Sequence, residues 1–117
     1  MKTAANVMIG LVALLHLYFL VLEMFLWNTP FGRRVFRTTP EFAAAAKALA
    51  ANQGLYNGFL AAGLAWGLAM GDAGFHVQLF FLACVIIAGV FGAATVHYYI
   101  LFFQAIPGIL ALALLLD

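Results

Sequence analysis

Three stretches of this chain, residues 3–22, 48–71 and 73–116, contain no Asp, Glu, Lys or Arg. A helix rises ~1.5 Å per residue, so about 20 apolar residues cross a hydrocarbon layer ~30 Å thick. Each stretch therefore has the length and the chemistry of a segment whose solvent is lipid. The charged residues make up only 8% of the chain, against roughly a quarter in a soluble domain. They gather mostly between the apolar runs. The reading is an all-α fold, an integral membrane four-helix bundle of one domain covering residues 1–117.

Punctuation along the chain divides it. A first helix is predicted over residues 4–27, with Trp27 at its end as an interfacial aromatic. Asn28-Thr29-Pro30-Phe31-Gly32 breaks it, and a basic loop with Arg33, Arg34 and Arg37 follows. Thr39-Pro40-Glu41 combines a hydroxyl N-cap, proline at the first helical position and an acid in the first turn. It opens a second helix over residues 40–70, whose first turns lie among headgroups. Gly71-Asp72-Ala73-Gly74 is a tight turn. Helices over residues 75–96 and 100–116 follow, joined by His97-Tyr98-Tyr99, a connection short enough to make them antiparallel neighbours.

The first apolar run resembles a secretory signal only until its end. Glu23-Met24-Phe25-Leu26-Trp27 lacks the small residues of a cleavage site, so the run reads as a retained anchor. Net charge is +1, which leaves no basic surface for nucleic acid. The single cysteine, Cys84, lies in an apolar run and reads as a packing residue. Arg33, Arg34, Arg37 and Lys47 flank the first loop, whereas the opposite side has Lys2, Asp72 and Asp117. The positive-inside rule places that loop in the cytoplasm and both termini outside.

Polar residues inside the apolar runs carry the functional signal. An ionisable group within hydrocarbon costs roughly 2.5–3.5 kcal/mol on insertion scales. The first helix holds His16 and Glu23, seven residues and about 10 Å apart on one face. The second offers Asn52 with Tyr56 and Gln53 with Asn57, each pair at i,i+4 spacing. Thr95 ends the third helix, and Gln104 enters the fourth one turn before Pro107, which frees a carbonyl near Phe103. An up-and-down topology brings Glu23, Asn52, Gln53, Asn57, Thr95 and Gln104 to a similar depth in the cytoplasmic half.

Two readings of these groups stand side by side. Asn and Gln act as interhelical glue at about 0.6 kcal/mol per bond and need bind nothing, and His16 fits the role of a satisfied interior histidine. Glu23 does not fit the glue reading, because a carboxylate with no Lys or Arg at its depth holds helices together poorly. Gly54 and Gly58, then Gly63, Gly67 and Gly71, recur every four residues along the second helix. They suit close packing inside a bundle or a homo-oligomer. Three histidines at three depths argue against a metal or haem site, and no motif names a cofactor.

The runs His16-Leu17-Tyr18-Phe19, Glu23 to Trp27, and Ala50-Ala51-Asn52-Gln53-Gly54-Leu55-Tyr56-Asn57-Gly58-Phe59-Leu60 resemble the domain-of-unknown-function 1304 family. So do Ala88-Gly89-Val90-Phe91-Gly92-Ala93-Ala94-Thr95-Val96 and Gln104-Ala105-Ile106-Pro107. The resemblance covers nearly the whole chain. It implies a small four-helix protein of the bacterial inner membrane, with a more distant likeness in architecture to DoxX-type proteins, and it supplies no reaction. Where relatives are basic between helices three and four, this chain has His97-Tyr98-Tyr99.

Three functions fit these residues. One is binding or transport of a small amphipathic or lipophilic molecule among membrane lipids, with its polar end at Glu23 and the amides. A second is intramembrane acid–base chemistry by Glu23 or His16 on a lipophilic substrate, such as an isomerisation. The third is a structural subunit whose polar residues only join helices.

Overall fold

The computed structural model describes residues 2–117. It is all-α: 88% of it is helical, and no strand occurs among the described residues. The helices are α1 (Lys2–Met24), α2 (Pro30–Phe36), α3 (Pro40–Ala45), α4 (Lys47–Ala69), α5 (Phe75–Thr95) and α6 (Ile106–Leu116). A 3₁₀ turn, Gly71–Gly74, precedes α5, and a π turn, Leu101–Ala105, precedes α6. Two segments, Lys2–Met24 and Gly71–Thr95, are long and apolar enough to cross a membrane. Leu101–Leu116 is a shorter apolar helix.

The chain forms two compact units, residues 16–59 and residues 1–15 with 60–117, so α1 and α4 each contribute to both. In the first unit α1 stops at Met24, three residues before the predicted end at Trp27. The N–H groups of Phe25 and Leu26 both turn to the Val21 carbonyl, at 3.0 and 3.1 Å. The Thr29 hydroxyl donates to the Leu26 carbonyl at 2.7 Å and accepts from the Gly32 N–H at 3.1 Å. With Pro30 at the first helical position, this cap makes residues 30–36 a helix where the sequence reading has a basic loop.

Thr39 caps α3 as expected, accepting from the Phe42 N–H at 3.1 Å. The predicted second helix is nevertheless interrupted at Ala46. At that break the Ala43 carbonyl accepts the Trp27 indole N–H at 2.9 Å. The Trp27 ring also rests on Phe36, 5.0 Å between centroids. Trp27 is thus a structural clasp for the α2–α3 segment.

In the second unit Ile9, Val12, Leu64, Leu82, Val85 and Ala111 form a buried core. Glycine lets its helices approach. A Cβ on Gly89 would lie 2.5 Å from the Ala105 nitrogen and 2.9 Å from its Cα, so α5 meets the π turn backbone to backbone. Pro107 explains the π turn. It has no N–H, so one carbonyl in the preceding turn lacks an intrahelical donor, and the Ile106 N–H reaches back five residues to Leu101.

Between α5 and the π turn, the rings of His97, Tyr98 and Tyr99 lie 4.6–4.7 Å apart. His97 Nδ1 accepts the Tyr99 N–H at 3.1 Å, tightening the short connection.

The glycines differ in what they tolerate. A Cβ at Gly10 meets nothing within 4 Å, whereas one at Gly89 meets backbone. Gly10→Ala is therefore expected to raise stability by about 0.5–1 kcal/mol. Gly89→Ala is expected to lower it by about 1–3 kcal/mol. Thermal unfolding of both variants in one detergent checks the pair.

Candidate functional site

Glu23 lies in the last turn of α1, and Asn57 lies near the middle of α4. Two glycines make their meeting possible. A Cβ on Gly54 would sit 2.6 Å from Met24 Cγ and 3.1 Å from Glu23 Cβ, and one on Gly58 would sit 2.6 Å from Leu20 Cδ1. A side chain at Gly54 would also crowd the Leu20 carbonyl, at 3.2 Å, and so press on the α1 backbone, whereas one at Gly58 would meet only the Leu20 side chain. With hydrogen alone there, Asn57 Nδ2 donates to Glu23 Oε1 at 2.5 Å. The carboxamide presents its nitrogen, and the carboxyl oxygen accepts.

Asn57 is 7% exposed, and Glu23 is half-buried. The surroundings oppose a charge at Glu23 in two ways. Apolar packing removes water, and the C-terminal end of a helix carries partial negative charge that repels an anion. Among the described residues Asn57 is the only side chain that donates a hydrogen bond to Glu23. The second carboxyl oxygen is left for a further donor.

The other expected residues fall in different places. His16 is fully buried two turns before Glu23, with its ring edge-on to Phe19 at 5.9 Å. Asn52, Gln53 and Tyr56 are exposed on the same stretch of α4 that buries Asn57. The Tyr56 ring lies 6.2 Å from Phe59. Thr95 is exposed and back-bonds to its own helix, with Oγ1 donating to the Phe91 carbonyl at 2.7 Å. Gln104 is half-buried within the π turn. Thr95 and Gln104 belong to the unit that does not contain Glu23 and Asn57. Glu23 and Asn57 are the expected residues that the structure joins by a hydrogen bond.

One buried polar residue escaped the sequence reading. Gln78 is 4% exposed, and its Nε2 donates to the Gly67 carbonyl at 3.0 Å. The signal was present: Gln78, Leu82, Val85 and Gly89 recur at helical spacing and are the buried stripe of α5.

A family model described as a protein of unknown function, DUF1304, matches residues 10–116. The chain belongs to that family. The match spans every residue from His16 to Gln104 that the sequence reading marked, including Glu23 and Asn57. No curated protein and no solved structure matches the chain.

The hydrogen bond separates two substitutions that a simple polarity argument would treat alike. Glu23→Gln retains an acceptor for Asn57 and is expected to leave the unfolding temperature nearly unchanged. Asn57→Leu strands the carboxyl group and is expected to cost about 1–3 kcal/mol. Thermal unfolding of the purified variants reads both.

Proposed function

We propose that this chain is a multi-pass protein of the bacterial inner membrane that binds a small amphipathic or lipophilic molecule. In this reading α1, α4, α5 and the segment from the π turn through α6 are four membrane crossings of one bundle. The Arg33, Arg34 and Arg37 segment faces the cytoplasm, and both termini face outward. The membrane reading is supported by exposure. Only 22% of the apolar window is buried in Lys2–Met24 and in Gly71–Thr95. The core helix of a soluble protein would bury most of such a surface.

One observation carries the binding reading: Glu23 is held by Asn57 and has an oxygen to spare. A ligand with a hydrogen-bond donor at its polar end meets that oxygen. Tyr56 and Phe59 offer a ring surface for its apolar part. The acid–base reading fares less well. His16 is fully buried, and two helical turns, about 10 Å, separate it from Glu23. Groups acting on one atom must both come within hydrogen-bond reach.

A second reading rests on Asn52 and Gln53, which are exposed and make no side-chain hydrogen bond among the described residues. Carboxamides both donate and accept, so this face of α4 also suits a second copy of the chain.

Native mass spectrometry of detergent-purified protein tests the proposal. The expected result is a small-molecule adduct on the wild type that is at least tenfold depleted in Glu23→Gln. A bare wild-type mass sinks the binding reading, and a dimer lost in Asn52→Leu would favour the second.

A further inference from the structure

Most of the chain's charge is gathered in residues 30–47, within the unit of residues 16–59. Arg33, Arg34, Arg37 and Lys47 stand there against a single acid, Glu41, so four positive charges less one negative leave an excess of three. Arg34 and Lys47 are exposed and make no hydrogen bond or ion pair among the described residues. Arg33 commits Nη1 to the carbonyl and side-chain oxygens of Asn28, at 3.0 and 2.8 Å. The segment does not neutralise itself.

The two faces of α2 differ. Gly32 and Phe36 lie one turn apart on the face turned inward, with Gly32 buried and Phe36 against the Trp27 ring. Phe31, Arg34 and Val35 have the i, i+3, i+4 spacing of a single face. That face is open: Phe31 is 45% and Val35 41% exposed. A free guanidinium is thus flanked by uncovered apolar side chains. A helix of seven residues would not persist alone in water. Here the Thr29 cap and the two contacts of Trp27 hold it formed. A partner meets a finished surface, and the cost of ordering it is already met within the fold.

That surface makes two demands. A soluble anion would neutralise Arg34 and leave Phe31 and Val35 in water. A neutral lipid surface would cover both apolar side chains and leave the positive excess uncompensated. An anionic lipid surface answers both, with apolar side chains at the boundary of headgroups and acyl chains and basic ones reaching the phosphates.

We propose that the α2 face of Phe31, Arg34 and Val35 is a docking surface for anionic phospholipid. The other basic residues of the segment add to the attraction. The proposal rests on the membrane reading above and adds to it a lipid of stated charge.

The test reconstitutes the full chain in nanodiscs of phosphatidylcholine, alone or mixed equally with phosphatidylglycerol. Native mass spectra from the mixture are expected to show phosphatidylglycerol retained over phosphatidylcholine. That preference should fall about fivefold in Arg34→Gln and survive in Arg34→Lys, which keeps the charge. Spin labels at Val35→Cys and Ile87→Cys, each in a Cys84→Ser background, report depth through their relative accessibility to oxygen and to a water-soluble nickel chelate. The Val35 label is expected to enter the apolar boundary when phosphatidylglycerol is present. Ile87 is 68% exposed on α5 and reports the membrane reading by itself. An Ile87 label in water would overturn both readings. An Ile87 label in hydrocarbon with a Val35 label in water for both lipid compositions would overturn this proposal alone. Equal retention of the two lipids, or an unchanged preference in Arg34→Gln, would also overturn it. So would binding of inositol hexaphosphate, a soluble polyanion, while the Val35 label stays in water.

Discussion

Apolar side chains cover these helices on nearly every side, and most of that surface is not buried by the chain itself. Leu14, Ile87, Phe91 and Leu110 are exposed alongside the core residues of the same helices. On the membrane reading proposed above, hydrocarbon around them removes water as a hydrogen-bond partner, and the rest of the structure follows from that loss. Backbone groups must be satisfied within their own segment, which makes helix the favoured conformation. Burial of apolar surface no longer drives helix against helix, so close approach has to come from shape. Glycine supplies it, at Gly89 against Ala105 and at Gly54 and Gly58 against α1.

The same constraint sorts the polar side chains. Thr95 returns its hydroxyl to its own helix, Gln78 gives its amide to a carbonyl of α4, and Trp27 gives its indole to Ala43. Each arrangement answers the question of where a donor goes when water is scarce. The π turn answers the corresponding question for an acceptor. Pro107 withholds a donor, and the preceding turn widens until the Ile106 N–H pairs with Leu101 instead of its usual partner.

Much of this was legible in the sequence because it depends on local chemistry. Thr39-Pro40-Glu41 named its helix start, Gly71 its turn, with φ +60, and Pro107 its irregularity. The α2 helix was missed because Pro30 was read as a breaker alone, when Thr29 before it makes the same proline a helix start. The break at Ala46 could not be read locally, since the nearby Ala43 carbonyl takes the indole N–H of Trp27, sixteen residues before Ala43. Depth arguments marked both Glu23 and Asn57 as site residues. They could not say which of Asn52, Gln53 and Asn57 would meet the acid, because that depends on the rotation of α4 set by Gly54 and Gly58. Gln78 was overlooked because the depth argument was confined to the other end of its helix, where Thr95 lies.

Gln78 also shows why Glu23 demands a reason of its own. A neutral carboxamide at the end of a helix donates one bond to a neighbouring backbone and closes the contact without a charge. A glutamine at position 23 would accept from Asn57 just as well, and it would avoid both the desolvation of a carboxylate and its repulsion by the end of α1. Holding the two helices together therefore does not require an acid. What the acid adds over the amide is a charge, or a proton that can leave. Neither has any use in packing, and both have a use when something with a donor or a positive end comes to the spare oxygen.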